Sequence, residues 1–582
     1  MTEAIWEVRR KCSKKHINAF SEYDAILVQL LYNRGLKTQA DVDEFFNPDF
    51  DQDLHDPYLF KDMERAVQRI LEAVKNKEKV AIYGDYDADG VTASSILTEL
   101  FRALGLSGQI YIPDRKNEGY GLNKKSIEWL YHKKIDLIVT CDCGVSSRKE
   151  IDYAKDEYDI DVVVLDHHHL PENFSKDYIV VDAKRKGDKY PFKELCAAGV
   201  TFKLAEAFYR HERKYLKAKN KEAFLKWLLD LVAIGTVADC VPLFHENRTL
   251  VQYGLTVLSK TKRIGIQEIF KKAGISNEAI TSYHLGYLVG PRINAAGRID
   301  HANVGYQLLT SKNRTEAAAY AEKLEKTNTR RQNLTEKVLE EALCEIKKRK
   351  KLEKIIVIGK HWPQGVLGIV AGKLTEKYSR PVIVFTIPTS EDRKKGQVGC
   401  VGSGRGPVSF NLVKAIAACK KDLEEYGGHQ QAAGLTVTYK KYNKFKESIE
   451  KFAATKLKEK DLVPKISIDA KISLGDVNWD FEKSMSKMNP FGEGNPEPRF
   501  LTEKLAIVTI MAVGKKSNHL KMVLEDQKGN QKNAIAFSFG DKIKDFRIGD
   551  LIDVVFSFSI NEWNGNRNLE LRVVDMKKSK QS

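Results

Sequence analysis

The chain has 582 residues, 42% of them hydrophobic and 30% charged, a balance that excludes a mostly disordered, collagen-like or fibrous protein and leaves room for about four domains. Lysine and arginine outnumber aspartate and glutamate by 96 to 79, a formal net charge of +17 that favours a polyanionic partner without distinguishing nucleic acid from anionic lipid. No apolar stretch reaches the roughly 18 residues of a bilayer span, the start Met1-Thr2-Glu3-Ala4-Ile5-Trp6-Glu7 is not a secretory leader, and eight cysteines at irregular spacing form no disulfide framework, so a cytoplasmic protein without a membrane partner is expected.

Residues 1–50 carry short apolar segments, such as Ala25 to Leu31, and read as a helical lead-in. Residues 51–318 form the first α/β unit. Within it, β-rich runs at Val80 to Tyr83, Gln109 to Ile112, Asp136 to Thr140, Asp161 to Leu165 and Tyr178 to Val181 alternate with helix-length segments. That alternation predicts βαβ units and a parallel sheet covered on both faces. Helical sequence dominates from about Glu194, and residues 319–350 read as a long connecting helix. The middle of that helix, Lys326 to Asn333, is polar on every face, which predicts a bridge through solvent.

A second α/β unit, residues 351–458, opens with Ile355 to Ile358 and continues through Val382 to Phe385. Residues 459–582 change character: Leu520, Met522 and Leu524 alternate with polar positions, as do Val554, Phe556, Phe558 and Ile560. Asn564-Gly565 then precedes Leu569, Leu571 and Val573, a hairpin signal. Strands of this kind, interleaved with lysines and aromatics, predict a small β-barrel such as an OB-fold.

Ionisable residues follow the β-runs of the first unit closely. Asp85-Tyr86-Asp87-Ala88-Asp89-Gly90 follows one run, Asp142 the next and Asp166-His167-His168-His169 a third. In an open parallel sheet the strand ends lie side by side, so these side chains should converge. Several carboxylates in one crevice repel each other unless protonated or neutralised by a cation. Mixed carboxylate and imidazole donors favour manganese or magnesium, and two ions bridged by Asp142 would suit phosphoester hydrolysis. A single Asp-x-Asp is ordinarily a turn or cap, but the repetition at successive strand ends argues for a site. Zinc on Cys141 and Cys143 fits poorly, because their spacing is wrong and no second pair exists.

Gly368 to Lys373 is one residue short of a P-loop, and no serine elbow is present around Ser403. Two glycine- and arginine-bearing segments could bind phosphate: Gly290 to Arg298, and Gly402-Ser403-Gly404-Arg405-Gly406 together with Gly427-Gly428-His429. Both read as loops, with ordinary tight turns as an equal alternative.

Asp166-His167-His168, placed after Asp85 to Gly90 and before Gly235-Thr236-Val237-Ala238-Asp239, resembles the DHH phosphoesterase superfamily. The order of motifs through Asn489 to Pro498 is similar to that of its RecJ-type single-strand-specific exonucleases. The resemblance implies a DHH domain, a DHH-associated domain and an OB-fold. It places Asp87 and Asp142 on one manganese or magnesium ion, and Asp89, Asp142, His167 and Asp239 on the other. His168 would lie beside the scissile phosphate, with Asp85 and Asp166 as further catalytic groups, and Tyr83 stands where some members have a histidine ligand. Asn294, Arg298, Ser403, Arg405, Gly428 and His429 would hold substrate phosphate. The implied activity is 5′→3′ hydrolysis of single-stranded DNA in recombination and repair, with a helicase and a single-strand-binding protein as partners. A short-oligonucleotide phosphodiesterase and a catalytically silent DNA-binding relative are the alternatives.

Overall fold

A computed structural model describes residues 3–115, 117–171, 177–276, 278–563 and 566–580. Its first sheet has five parallel strands in the spatial order Gly108–Tyr111, Val80–Gly84, Leu137–Cys141, Asp161–Leu165 and Ile179–Val181. Val80–Gly84 and Leu137–Cys141 are buried at every residue, as strands covered by helices on both faces must be. In this order the chain reverses its direction of winding between Val80–Gly84 and Leu137–Cys141. The crevice beyond the carboxyl ends of those two strands is where such a sheet binds ligands.

The expected long helix runs from Arg314 to Lys347, about 50 Å at 1.5 Å per residue. Asn313 caps it, accepting from the backbone N–H groups of Thr315 and Glu316. Its middle does not cross open solvent. Ala317, Ala321 and Leu324 pack into the first core and Val338, Ala342 and Ile346 into another, while Asn328 and Thr335 continue the same buried stripe between them. The helix lies along Gly290–Ile299, and Arg292 Nε pairs with Glu325 at 2.6 Å.

Beyond it stands a five-stranded mixed sheet in the order Glu425–Gly428, Ala432–Thr438, Gly399–Arg405, Val382–Thr386 and Ile356–Lys360. In the C-terminal region Phe500–Val513, His519–Glu525, Gln531–Ala536, Asn566–Lys578 and Leu551–Trp563 follow one another around a barrel. The barrel closes where Phe500–Val513 pairs with Leu551–Trp563. Leu520, Met522 and Leu524 point into its core as the alternation predicts. Leu551–Trp563 and Asn566–Lys578 pair antiparallel; Asn564 and Gly565 themselves lie outside the described residues.

Three local expectations change. The N-terminal segment is not all helix: Ile5–Val8 is a strand pairing in parallel with Lys465–Ile468. Leu27, Val28, Leu30 and Leu31 then share one core with the barrel, because their apolar face has no other cover. The segment Gly290 to Arg298 is not a loop but a helix, Gly290–Ile299, which continues the turn before it and carries Pro291 near its start. The segment around Ser403 is likewise the strand Gly399–Arg405.

A candidate metal centre facing a phosphate cradle

The acidic crevice is assembled from backbone geometry outward. Asp85 leaves the first strand, and Asp87 caps the helix Ala88–Leu104, its Oδ1 accepting from the N–H groups of Asp89 and Gly90. Asp89 is buried, and its two oxygens accept from Ala197 and Ala198 at 2.7 and 2.9 Å, the amino end of a neighbouring helix. The helix bearing Asp239 can approach Asp89 this closely because residue 235 is glycine: a Cβ there would lie 2.5 Å from Thr92 Oγ1 and 2.8 Å from Asp89 Oδ1. Asp142 sits at φ 64°, a left-handed backbone that aspartate tolerates better than most residues.

Three sets of side chains bring their ligand atoms within 4.8 Å of one another: Asp85, Asp87 and Asp142; Asp89, His167 and Asp239; and Asp142, His167 and His168. His167 Nε2 lies 3.2 Å from Asp142 Oδ1 and 3.7 Å from Asp239 Oδ2. Asp85 Oδ1, Asp142 Oδ1 and both His167 ring nitrogens are buried without a hydrogen-bond partner among the described residues.

Burial, and then the charges of neighbouring aspartates, push the carboxyl groups of Asp85, Asp142 and Asp239 well above the usual range and that of Asp89 up to about 6. Burial, and then His168, push His167 down to about 3, so its imidazole is neutral. Orphaned carboxylate oxygens that repel each other, beside a neutral imidazole, fit divalent cations of the manganese or magnesium type. Cys141 and Cys143 join none of these sets among the described residues. Tyr83 is buried and donates its hydroxyl to the Gly121 carbonyl at 3.0 Å; Asp85 is the group that completes an oxygen set with Asp87 and Asp142.

His168 is held differently. Its Nδ1 lies 2.8 Å from Asp166 Oδ1, and that carboxylate also accepts from the N–H groups of His167, His168 and Val145. Burial lowers the His168 pKa, but the bond to Asp166 and the charges of Asp166, Asp87 and Asp89 together outweigh it and leave the group raised. Conversely, burial raises Asp166, and the partnership with His168 holds it below the usual range. The hydroxyl of Tyr120 donates to the Asp142 carbonyl and lies 3.2 Å from His168 Nδ1. Across the cleft the ring of His429 faces that of His168 at 6.4 Å.

Beside the acidic crevice lies a basic one. Arg298 has no hydrogen bond or ion pair among the described residues. Burial, and then Arg115, Arg331 and Arg405, lower it to about 10. Ser403 and Arg405 stand at the end of their strand against Gly368, where a Cβ would come 3.0 Å from Ser403 Oγ and 3.1 Å from an Arg405 guanidinium nitrogen. Gly368 is in the first turn of the helix Leu367–Tyr378, whose dipole adds an anion-seeking partial charge at this end. Gly365, just before that helix, touches the Arg298 backbone. Ser403, Arg405 and Arg298 therefore come together.

Asn294 stands apart from that role in part, since its Oδ1 accepts from the Ala88 N–H and only its amide nitrogen remains. Gly428, at φ 135°, turns the hairpin that presents His429. Sequence reasoning missed Arg115, which lies over the Tyr86 ring at 4.9 Å, and Gly368, whose glycine-rich context was the only signal.

Comparison with known proteins places these features in a family. Residues 79–236 match the DHH family N-terminal domain, 350–455 the DHHA1 domain and 468–575 the RecJ OB domain. The chain is 34% identical over 574 residues to the single-stranded-DNA-specific exonuclease RecJ of Bacillus subtilis, covering 98% of this chain and 70% of that one. It is 33% identical to the Haemophilus influenzae protein of the same description, covering 88% and 90%. A crystal structure of RecJ from Thermus thermophilus in complex with Mn2+ superposes with a TM-score of 0.83 at 27% identity, covering 99% of this chain and 80% of that one. A complex of the same protein with Mg2+ gives 0.76 at 26% identity, covering 99% and 79%.

Proposed function

The chain belongs to the RecJ family of single-stranded-DNA-specific exonucleases, and we propose from that premise that it hydrolyses single-stranded DNA from the 5′ end as a metal-dependent exonuclease of recombination and repair. The observation that carries the reading is the juxtaposition of a carboxylate–histidine crevice with a separate arginine, serine and helix-terminus cradle on the facing unit. Two neighbouring sites of opposite ligand charge would suit a terminal nucleotide, its end phosphate in one and the next phosphodiester in the other.

Asp85, Asp87 and Asp142 would hold one ion, and Asp89, Asp142, His167 and Asp239 the other. Bound there, Mn2+ or Mg2+ would supply Lewis acidity and make water a nucleophile at neutral pH. The chain's own groups do the rest. Asp166 fixes the His168 ring through Nδ1 and raises its pKa, which places a hydrogen-bond donor beside the scissile phosphate, where negative charge grows in the transition state. Arg298, Ser403, Arg405 and the amino end of Leu367–Tyr378 orient the terminal phosphate, with Gly428 and His429 lining the opposite side. Asn294 positions the helix of Asp87 through its bond to Ala88.

His168 and His429, their ring centroids 6.4 Å apart, mark where the two units approach each other across the cleft, and a narrow opening there would admit one strand and exclude a duplex. In this division of labour residues 51–318 carry the chemistry, 351–458 the cradle and 459–582 a barrel that tracks the strand behind it. A helicase and a single-strand-binding protein are the partners implied, since the substrate must first be unpaired.

The test is digestion of a single-stranded oligonucleotide labelled at either end, with Mn2+, Mg2+ or chelator, beside its duplex and a dinucleotide. Metal-dependent release of mononucleotides from the 5′ end of the single strand is the expected result. Cleavage confined to the dinucleotide would replace the reading with a short-oligonucleotide phosphodiesterase, and binding without cleavage would replace it with a silent relative.

A further inference from the structure

Tyr283 and Tyr287 are among the most exposed large side chains in the structure, at 57% and 70%. Their rings stack on each other, centroids 4.9 Å apart and planes 27° from parallel. Neither hydroxyl has a hydrogen-bond partner among the described residues, so nothing polar fixes the rings where they are. They stand on a π-helical turn, His284–Val289, that runs without a break into the helix Gly290–Ile299. A turn of this kind is uncommon and occurs most often at functional sites.

The position of that turn gives the pair its interest. A Cβ on Gly286 would lie 3.5 Å from Val237, and one on Gly290 would lie 3.1 Å from Ala238. Those are the residues immediately before Asp239. Leu285 and Val289 anchor the buried side of the turn in the first core, which leaves the two tyrosines on its free side. In the other direction Ser282 Oγ donates to the Phe491 carbonyl at 2.5 Å, and the Phe491 side chain packs against the barrel core. The pair therefore stands between the Asp239 end of the acidic crevice and the barrel. Arg298, at the cradle end of the continuing helix, is about 16 Å beyond Tyr287 and about 22 Å beyond Tyr283 at 1.5 Å per residue.

We propose that Tyr283 and Tyr287 form a stacking platform for bases of the single strand after it leaves the metal crevice and before it reaches the barrel. The inference rests on the exonuclease reading above and adds to it a binding site, whose ligand is unpaired nucleobases of either sequence. Stacking tolerates any base, because every base has a π-face, and that suits an enzyme that digests without regard to sequence. The tyrosines are positioning residues: they touch the strand and not the reacting atoms.

The test uses the full chain and the variants Tyr283→Ala/Tyr287→Ala and Tyr283→Phe/Tyr287→Phe. Steady-state hydrolysis is measured on a long single strand and on a dinucleotide. Binding is followed in chelator by 2-aminopurine fluorescence, the probe stepped along the strand from its 5′ end. The alanine pair should raise KM for the long strand by about 5- to 100-fold, the range that stacking of one or two bases implies. It should leave kcat and dinucleotide hydrolysis unchanged and abolish probe quenching at a few nucleotides from the end, while the phenylalanine pair behaves as the parent. Unchanged KM and quenching in the alanine pair overturns the platform while the parent still digests single strands. Equal losses on long and short substrates also overturn it, by showing a structural role. A parent enzyme that neither binds nor cleaves single strands overturns the exonuclease reading together with the inference.

Discussion

Replacing Asp142 by asparagine should stabilise the metal-free protein while removing its response to metal. Asp142 is buried, and its oxygens share a 4.8 Å sphere with those of Asp85 and Asp87. Two unit charges at that separation repel by about 3 kcal/mol at an effective dielectric of 20. Partial protonation of the raised carboxyls relieves some of this, so a gain of about 1–3 kcal/mol is expected rather than the sum over both pairs. Asparagine is nearly isosteric, accepts the left-handed backbone at φ 64° and offers an amide hydrogen to the orphaned Asp85 Oδ1. In the parent, Mn2+ at about a hundredfold over its dissociation constant should add about 2.7 kcal/mol. Thermal melts with EDTA and with Mn2+ separate the two effects in the lowest-temperature transition. The Asp142→Asn protein should melt above the parent in EDTA and below it in Mn2+, with strand cleavage lost and strand binding retained. A variant that melts below the parent in EDTA, or that keeps the parental rise in Mn2+, would refute the electrostatic account of the crevice.

The same reasoning sets a pH dependence. Carboxyls raised by burial and by each other, with Asp89 at about 6, favour the metal-free fold at low pH, and that contribution is lost as pH rises through their folded values. Metal must displace these protons, whereas His167, lowered to about 3, is neutral throughout; the Mn2+-induced rise in melting temperature should therefore be larger at pH 8 than at pH 5.5, and an equal rise would contradict the shifts. Arg248 is buried, donates to the carbonyls of Phe45 and Asn489 at 2.6 Å each and lies over the Phe45 ring at 3.6 Å. Arg248→Met should cost about 2–5 kcal/mol through the stranded carbonyls and speed proteolytic separation of the barrel from the rest; an unchanged digestion pattern would show that the clasp carries no load. Arg405→Ala should reduce the preference for a 5′-phosphorylated over a 5′-hydroxyl strand about tenfold, measured as the ratio of kcat/KM, and an unaltered ratio would remove Arg405 from the cradle.

What the sequence disclosed follows from the range of the interactions involved. The carboxylates were legible because a parallel sheet aligns the carboxyl ends of its strands, so residues 85, 142 and 166 converge whatever the intervening helices contain. The cradle was half legible. Ser403 and Arg405 stood out by type, but the glycines around them disguised a strand. Gly402 and Gly404 alternate inward, where a Cβ would come 2.5 Å from Phe385 and 2.7 Å from Leu412, so glycine here marks close packing and not a turn. Gly368 and Arg115 reach the site from other elements: Gly368 stood out only within a segment one residue short of a P-loop, and nothing local announces Arg115. The strand Ile5–Val8 was missed because its partner begins at Lys465, a separation that no periodicity reports.

The two crevices share a further property. Buried aspartates are pushed up on one side and Arg298 is pushed down on the other, which means that neither group has been allowed to neutralise the other. No ion pair joins Arg298 to Asp87 among the described residues, although the charge of Asp87 opposes the lowering of Arg298. Gly235 lets the elements of the acidic set approach closely, and Gly365 and Gly368 do the same for the basic set. Such unrelieved charge costs stability in the free protein and is compensated only when cations enter one crevice and a phosphate the other. Arginine substituted into the acidic side, for example Asp87→Arg, would add repulsion to the basic one. Mutual neutralisation would instead be supplied by ligand, and an enzyme that must satisfy the two crevices at once should favour a substrate carrying both a terminal phosphate and a scissile phosphodiester, which the Arg405→Ala comparison of 5′-phosphorylated and 5′-hydroxyl strands reads.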